Sequence, residues 1–152
     1  MKLRRGGSLV SKVHQVSGRV FHRLLREEGM GHIPPAQGRI LFALWQSDAM
    51  TPSALAAKTL LDKASLTGLV DRLEKGGLVD RIPSPDDKRS TLVKMSPAAR
   101  SLEASFLRVS ERMISLYYEG MDDGEIDRFE KSLEKVLANC LRAEGAAKDG
   151  GE

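Results

Sequence analysis

Two helix-opening signals in close succession constrain this chain more than any other feature of its sequence. The first is Thr51-Pro52, because a threonine oxygen can cap free amides and proline at the first helical position gives up no hydrogen bond. Its short helical body is Ser53-Ala54-Leu55-Ala56-Ala57-Lys58. The second is Asp62, a good N-cap for a helix running from Lys63 to about Lys75, where Gly76-Gly77 stops it. With Leu60-Leu61 as the turn between them, the pair has the outline of a helix-turn-helix.

The flanks extend that outline. Leu78-Val79-Asp80-Arg81-Ile82 and Thr91-Leu92-Val93-Lys94-Met95 are rich in β-formers, and the polar stretch from Pro83 to Ser90 joins them, which predicts a two-stranded hairpin with a long tip. Upstream, Leu9, Val10, Val13, Val16, Val20, Phe21, Leu24 and Leu25 paint one stripe on a helix that stops near Gly29 and Gly31. The nearly continuous Ile40-Leu41-Phe42, Leu44 and Trp45 belong to a helix buried on much of its surface. Downstream, Ser96-Pro97 repeats the cap-plus-proline opening, and Leu102, Phe106, Val109, Met113 and Leu116 follow on one helix of roughly 22 residues. Asp122-Asp123-Gly124-Glu125 caps a last helix bearing Ile126, Phe129, Leu133, Val136, Leu137, Cys140 and Leu141 on one face. Gly145 to Glu152 is small and polar and is expected to be a disordered tail.

The stripes on the first helix and the last two are too long for a small central domain to cover, so they need a partner. The expected organisation is a helix over 1–32, the helix-turn-helix and its hairpin over 33–96, further helices over 97–144 and the tail over 145–152, all within one compact domain. At 152 residues the chain has room for one core, and a 5% aromatic share with six prolines favours helices over a sandwich or barrel. No run approaches the roughly 18 apolar residues that span a bilayer, and the basic start carries no apolar stretch behind it. A cytoplasmic location without membrane contact is expected. The net charge of +3 suits a polyanionic partner and decides little by itself. The single cysteine, Cys140, has no partner within the chain for a disulfide, and its place on an apolar stripe predicts a buried structural thiol. His14, His22 and His32 stand in no cluster with metal-ligand spacing, so no metal and no cofactor are expected. A nucleophile elbow, a phosphate loop and a His-Glu metal motif are all missing, and catalysis is not expected.

The stretch Leu66-Thr67-Gly68-Leu69-Val70-Asp71-Arg72-Leu73-Glu74-Lys75-Gly76-Gly77-Leu78-Val79-Asp80-Arg81, followed by Pro85-Asp86-Asp87-Lys88-Arg89-Ser90 and Leu92-Val93-Lys94-Met95-Ser96, resembles the MarR family of bacterial and archaeal regulators. The resemblance follows the element order from about Leu9 to Leu141. It implies a mainly α fold with a small β-hairpin wing, a winged helix-turn-helix that binds DNA over 33–96 joined to intertwined dimerisation helices over 1–32 and 97–144. It further implies a homodimer on double-stranded operator DNA, acting as a repressor released by a small lipophilic or aromatic effector. Arg89 matches the arginine that the family inserts into the minor groove, and Asp87 the acid that braces it. Lys88 would add backbone contact.

The residues of the helix from Lys63 agree with that reading. Ser65 and Thr67 are short hydroxyls near its start, suited to base edges in the major groove, while Lys63 and Arg72 lie where each would neutralise a phosphate. Gly68 departs from the family, since many relatives carry arginine or another long polar residue there, and Thr59-Leu60-Leu61 lacks a frequent Leu-Gly. Phe21, Trp45, Met113 and Tyr117 are candidates to line an effector cavity, with an ordinary core role as the alternative. For Asp87-Lys88-Arg89 the alternative is a solvated turn, and for the whole chain it is a protein-interaction module on a winged-helix scaffold with little or no DNA binding.

Overall fold

The computed structural model of the chain describes residues 3–149. In chain order the elements are α1 (Gly6–Glu27), α2 (Pro35–Trp45), β1 (Ala49–Met50), α3 (Pro52–Thr59), α4 (Lys63–Lys75), β2 (Val79–Pro83), β3 (Thr91–Met95), α5 (Pro97–Ser101), α6 (Glu103–Tyr118) and α7 (Asp123–Asp149). They form two compact units, one over Met1–Met113 and one over Ile114–Glu152.

The first unit holds the core. Leu24 and Leu25 of α1, Ile40, Leu41 and Leu44 of α2, Leu55 of α3, Leu66, Val70 and Leu73 of α4, and Phe106 and Val109 of α6 are all buried in one cluster. At about 25 cal/mol per Å2 of apolar surface removed from water, such side chains each contribute roughly 1.5–3 kcal/mol. Polar termination keeps these helices short and in place. Thr51 Oγ1 accepts from Ala54 N at 3.1 Å, and Asp62 Oδ1 accepts from Ser65 N at 2.8 Å. The far end of α4 closes in a Schellman motif: Gly77, at φ 71°, donates to Glu74 O at 2.9 Å, and Leu78 N donates to Leu73 O at 2.9 Å.

The hairpin has the expected strands, β2 pairing antiparallel with β3 from Val79 opposite Met95 to Pro83 opposite Thr91. A third strand joins it, because β1 pairs with the other edge of β3, giving the order β1-β3-β2. The sequence reading missed β1, which is only two residues long and has its partner far along the chain. The single helix expected after Ser96-Pro97 is two, α5 and α6, parted at Leu102. The cause is local: the Ser101 hydroxyl donates to Ala98 O at 2.6 Å, the carbonyl an unbroken α-helix would offer to Leu102 N, which donates to Ala99 O at 3.1 Å.

Ion pairs tie α6 to the end of α1. Arg108 donates from Nε and Nη2 to Glu28 Oε2 at 2.9 and 2.7 Å, and Arg112 Nη1 lies 2.8 Å from Glu27 Oε2. The Arg108 hydrogen bond is the main reason that Glu28 sits below the ordinary carboxylate value.

In the second unit α7 opens with a capping box. Glu125 N donates to Asp122 Oδ1 at 2.9 Å while Asp122 N donates to Glu125 Oε2 at 3.0 Å. The helix then runs past Gly145 to Asp149, so the tail expected to be disordered from Gly145 is helical to that point, and residues 150–152 lie outside the described residues. Extending a formed helix costs far less than starting one, and the alanines after Gly145 are the best helix formers. Cys140 corrects a second expectation. It is exposed, on the α7 face that also exposes Phe129, Leu133, Val136, Leu137 and Leu141, because the stripe it sits on is uncovered in the single chain.

Candidate nucleic-acid interface

Helix α4 turns one side to the core and the other to solvent. Leu66, Val70 and Leu73 are buried, and at about 100° per residue the positions opposite them are Ala64, Gly68 and Lys75. Lys63, Ser65, Thr67 and Arg72, the four positions singled out on this helix, are all exposed on it. Both hydroxyls are already engaged: Ser65 Oγ donates to Asp62 Oδ2 at 2.6 Å and Thr67 Oγ1 to Lys63 O at 2.8 Å. Each oxygen keeps lone pairs for an incoming donor. Asp62 is held below its ordinary carboxylate value, first by the side-chain hydrogen bond from Ser65 and then by backbone amides of the first turn. Those amides are thus partly committed to the chain's own cap.

The wing tip is closed by Ser84 N donating to Ser90 O at 2.9 Å and by Ser90 N donating to Asp87 O at 2.9 Å. Asp87 Oδ1 accepts from the backbone Arg89 N at 2.9 Å and makes no ion pair with the Arg89 guanidinium among the described residues. That leaves the Arg89 guanidinium and the Lys88 ammonium exposed with no ion pair among the described residues. Two free cations on a tip whose backbone is fixed is an arrangement suited to a phosphate-lined groove.

One basic residue that the sequence reading passed over stands between helix and wing. Arg81 of β2 donates from Nη2 to Asp71 Oδ1 at 2.6 Å and from Nη1 to Glu74, so both carboxylates of α4 are tied to the sheet. Asp71 is the first cause holding the guanidinium above its ordinary value. Nothing local in the sequence marks this trio. Lys75, exposed at the end of α4, entered the sequence reading only as the last residue of the helix.

Of the effector candidates, Phe21, Trp45 and Met113 pack against the core of the first unit, whereas Tyr117 belongs to the second unit and is exposed. Trp45 meets Phe106 edge to face, with ring centroids 4.8 Å apart. A methyl built on Gly38 would lie 3.6 Å from Phe21 and 3.8 Å from Phe106, so these rings surround one small-residue position. The indole Nε1 of Trp45 is shielded from solvent and has no hydrogen-bond partner among the described residues. Among the described residues no group of His, Cys, Asp or Glu is placed to hold a metal, and no helix is long and apolar enough to cross a membrane.

Comparison with known proteins gives this geometry a context. The MarR family model matches residues 33–91, the stretch from just before α2 to the first residue of β3. A helix-turn-helix-type transcriptional regulator of Bacillus subtilis, YsmB, is 31% identical over 110 residues, spanning 72% of this chain and 75% of its own length. A cysteine-to-serine variant of MarR from Escherichia coli, solved with operator DNA, is 27% identical at a TM-score of 0.69 over 90% of this chain and 99% of that one. BpsR of Bordetella bronchiseptica, whose structure concerns regulation of its DNA binding by 6-hydroxynicotinic acid, shares the fold at a TM-score of 0.75 and 23% identity over 86% of this chain and 91% of that one. YsmB is thus named as a transcriptional regulator, and the MarR variant was seen on operator DNA.

Proposed function

The chain belongs to the MarR family of DNA-binding transcriptional regulators, and from that premise we propose that it represses transcription as a homodimer seated on operator DNA. In this reading α4 enters the major groove and the tip around Arg89 the minor groove. Ser65 and Thr67 approach base edges, Lys63, Arg72 and Lys88 neutralise phosphates, and Asp87 holds the Arg89 backbone in place. The observation that carries it is the pairing of an exposed polar α4 face with a self-braced tip bearing two free cations.

The dimer is supported by apolar side chains left uncovered in one copy. Leu9, Val10, Val13 and Val16 of α1 and Leu133, Val136, Leu137 and Leu141 of α7 are each 37–51% exposed, which is unusual for contiguous apolar faces on a monomer. On this reading 1–32 and 97–144 serve dimerisation and 33–96 serves DNA. Two copies then present their α4 helices to successive major grooves, about 34 Å apart on B-DNA. The protein acts in the cytoplasm and catalyses nothing.

Release from DNA follows from population shift. An effector that binds better to a dimer with mis-spaced recognition helices lowers operator affinity by roughly 5- to 150-fold, for a coupling of about 1–3 kcal/mol. A site beside Phe21, Trp45 and Met113 is supported by the unpartnered Trp45 indole N–H, which would donate to a carboxylate or carbonyl. Trp45 is the chain's one tryptophan, so its emission reports on ligand directly. Titration with aromatic acids should change that emission and weaken DNA binding together; a ligand bound equally well by free and DNA-bound protein contradicts the release mechanism.

The test of the function is binding to labelled DNA from upstream of the protein's own gene, titrated with salt. Each phosphate neutralised should lower log affinity by about 0.9 per log unit of salt, and Arg89→Ala should weaken binding and flatten that slope. Binding that ignores salt, or that is absent on all DNA, would instead favour the interaction module.

A further inference from the structure

We propose that Arg81 is a positioning residue that masks the negative charge of the recognition helix, so that α4 can lie against phosphates at all; this rests on α4 being the helix that enters DNA. Asp71 lies one turn beyond Thr67 on the exposed side of α4, and Glu74 lies three residues further on. A DNA duplex carries about one negative charge per 1.7 Å of its axis, and two unpaired carboxylates on a helix seated in its groove would oppose binding. Arg81 answers both at once. Its fork splits between the two acids, Nη2 to Asp71 Oδ1 at 2.6 Å and Nη1 to Glu74, instead of closing bidentately on one. Because Arg81 stands on β2, opposite Val93 of β3, the masking cation comes from the wing's own sheet and holds helix and wing in one arrangement.

Fold stability does not account for the trio. The three side chains are 29%, 51% and 42% exposed, and ion pairs so open to solvent contribute little to folding. Their placement counts more than their strength. With Arg81 in place, the cations of α4 face DNA without two opposing charges beside them.

The experiment compares wild type, Arg81→Met and the triple variant Arg81→Met, Asp71→Asn, Glu74→Gln on a labelled duplex that the wild-type protein has enriched from a random-sequence pool. Thermal unfolding of each confirms that it is folded. Arg81→Met should bind about tenfold more weakly at low salt, with the deficit shrinking as salt screens the exposed carboxylates. The triple variant should return to within about twofold of wild type although it has no bridge at all. A triple variant as weak as Arg81→Met would make Arg81 a structural brace and overturn the charge-masking role, and wild-type affinity in Arg81→Met would overturn it equally. A wild-type protein that enriches no duplex is a different failure, that of the DNA reading itself, and the role of Arg81 falls with it.

Discussion

Helices α4 and α7 are both amphipathic, and they resolve their apolar faces in opposite ways. In α4 the stripe of Leu66, Val70 and Leu73 is buried within the chain, and caps at both ends satisfy its free backbone groups. In α7 none of the helix's large apolar residues is buried, and Leu133, Val136, Leu137 and Leu141 face solvent together. One helix is finished by its own chain. The other is left open in the single chain, and on the proposed reading a second copy covers it.

The largest expected effect breaks that cover. Leu133→Glu with Leu137→Glu should convert the dimer to monomer in sedimentation and lower operator affinity by at least about 100-fold, because the two half-sites lose their effective concentration for one another. Melting of the first unit should move little. A double variant that still sediments as a dimer places the interface elsewhere. Next in size is Leu66→Ala, which empties a position only 1% exposed and should cost about 2–5 kcal/mol of stability in denaturant unfolding. An equivalent Leu141→Ala should cost much less in unfolding of the monomeric variant, since Leu141 is 42% exposed there. Equal costs at the two positions would erase the contrast between the helices.

The caps give a smaller effect. Thr51→Ala removes the oxygen that accepts from Ala54 N and should lower stability by about 1 kcal/mol. Asp62 caps α4 in the same way and adds a pH dependence whose sign is fixed by its lowered value. Its ordinary value is 3.8, so the stabilisation it gives is complete above that and is lost as pH falls through the still lower folded value. Unfolding of wild type against Asp62→Asn should therefore converge under strong acid and stay parallel near neutrality. A difference that changed between pH 6 and 8 would point to another group.

What could be read from the chain follows the range of the forces involved. The bounds of α4 were legible because Asp62 and Gly76-Gly77 act within one turn of the residues they cap. The parting of α5 from α6 was not, because it depends on which donor reaches the Ala98 carbonyl, a contest that the four-three spacing of apolar residues does not record. Strand β1 is too short to carry a period and exists through its pairing with β3. Arg81 escaped notice for the same reason, since its two partners lie seven and ten residues away on another element. The exposed positions of Lys63, Ser65, Thr67 and Arg72 followed from helical periodicity, whereas the uncovered state of Cys140 depends on what packs over α7, which periodicity leaves open.

The smallest effect is also the sharpest on the question of what α4 faces. Gly68 lies opposite the buried stripe, its φ is not in the left-handed region, and a Cβ built there meets nothing within 4 Å. Packing gives no reason for glycine, which costs about 1 kcal/mol against alanine in a helix. Gly68→Ala should therefore raise Tm by about 2–4 °C. If the outer line of α4 lies close to base edges, the same methyl should weaken operator binding a few-fold by holding the backbone away from the groove. Opposite signs in melting and in affinity are the expected outcome. Alanine raising both would mean that this face of the helix stands clear of the DNA, and that Ser65 and Thr67, too short to reach across a gap, do not read its sequence.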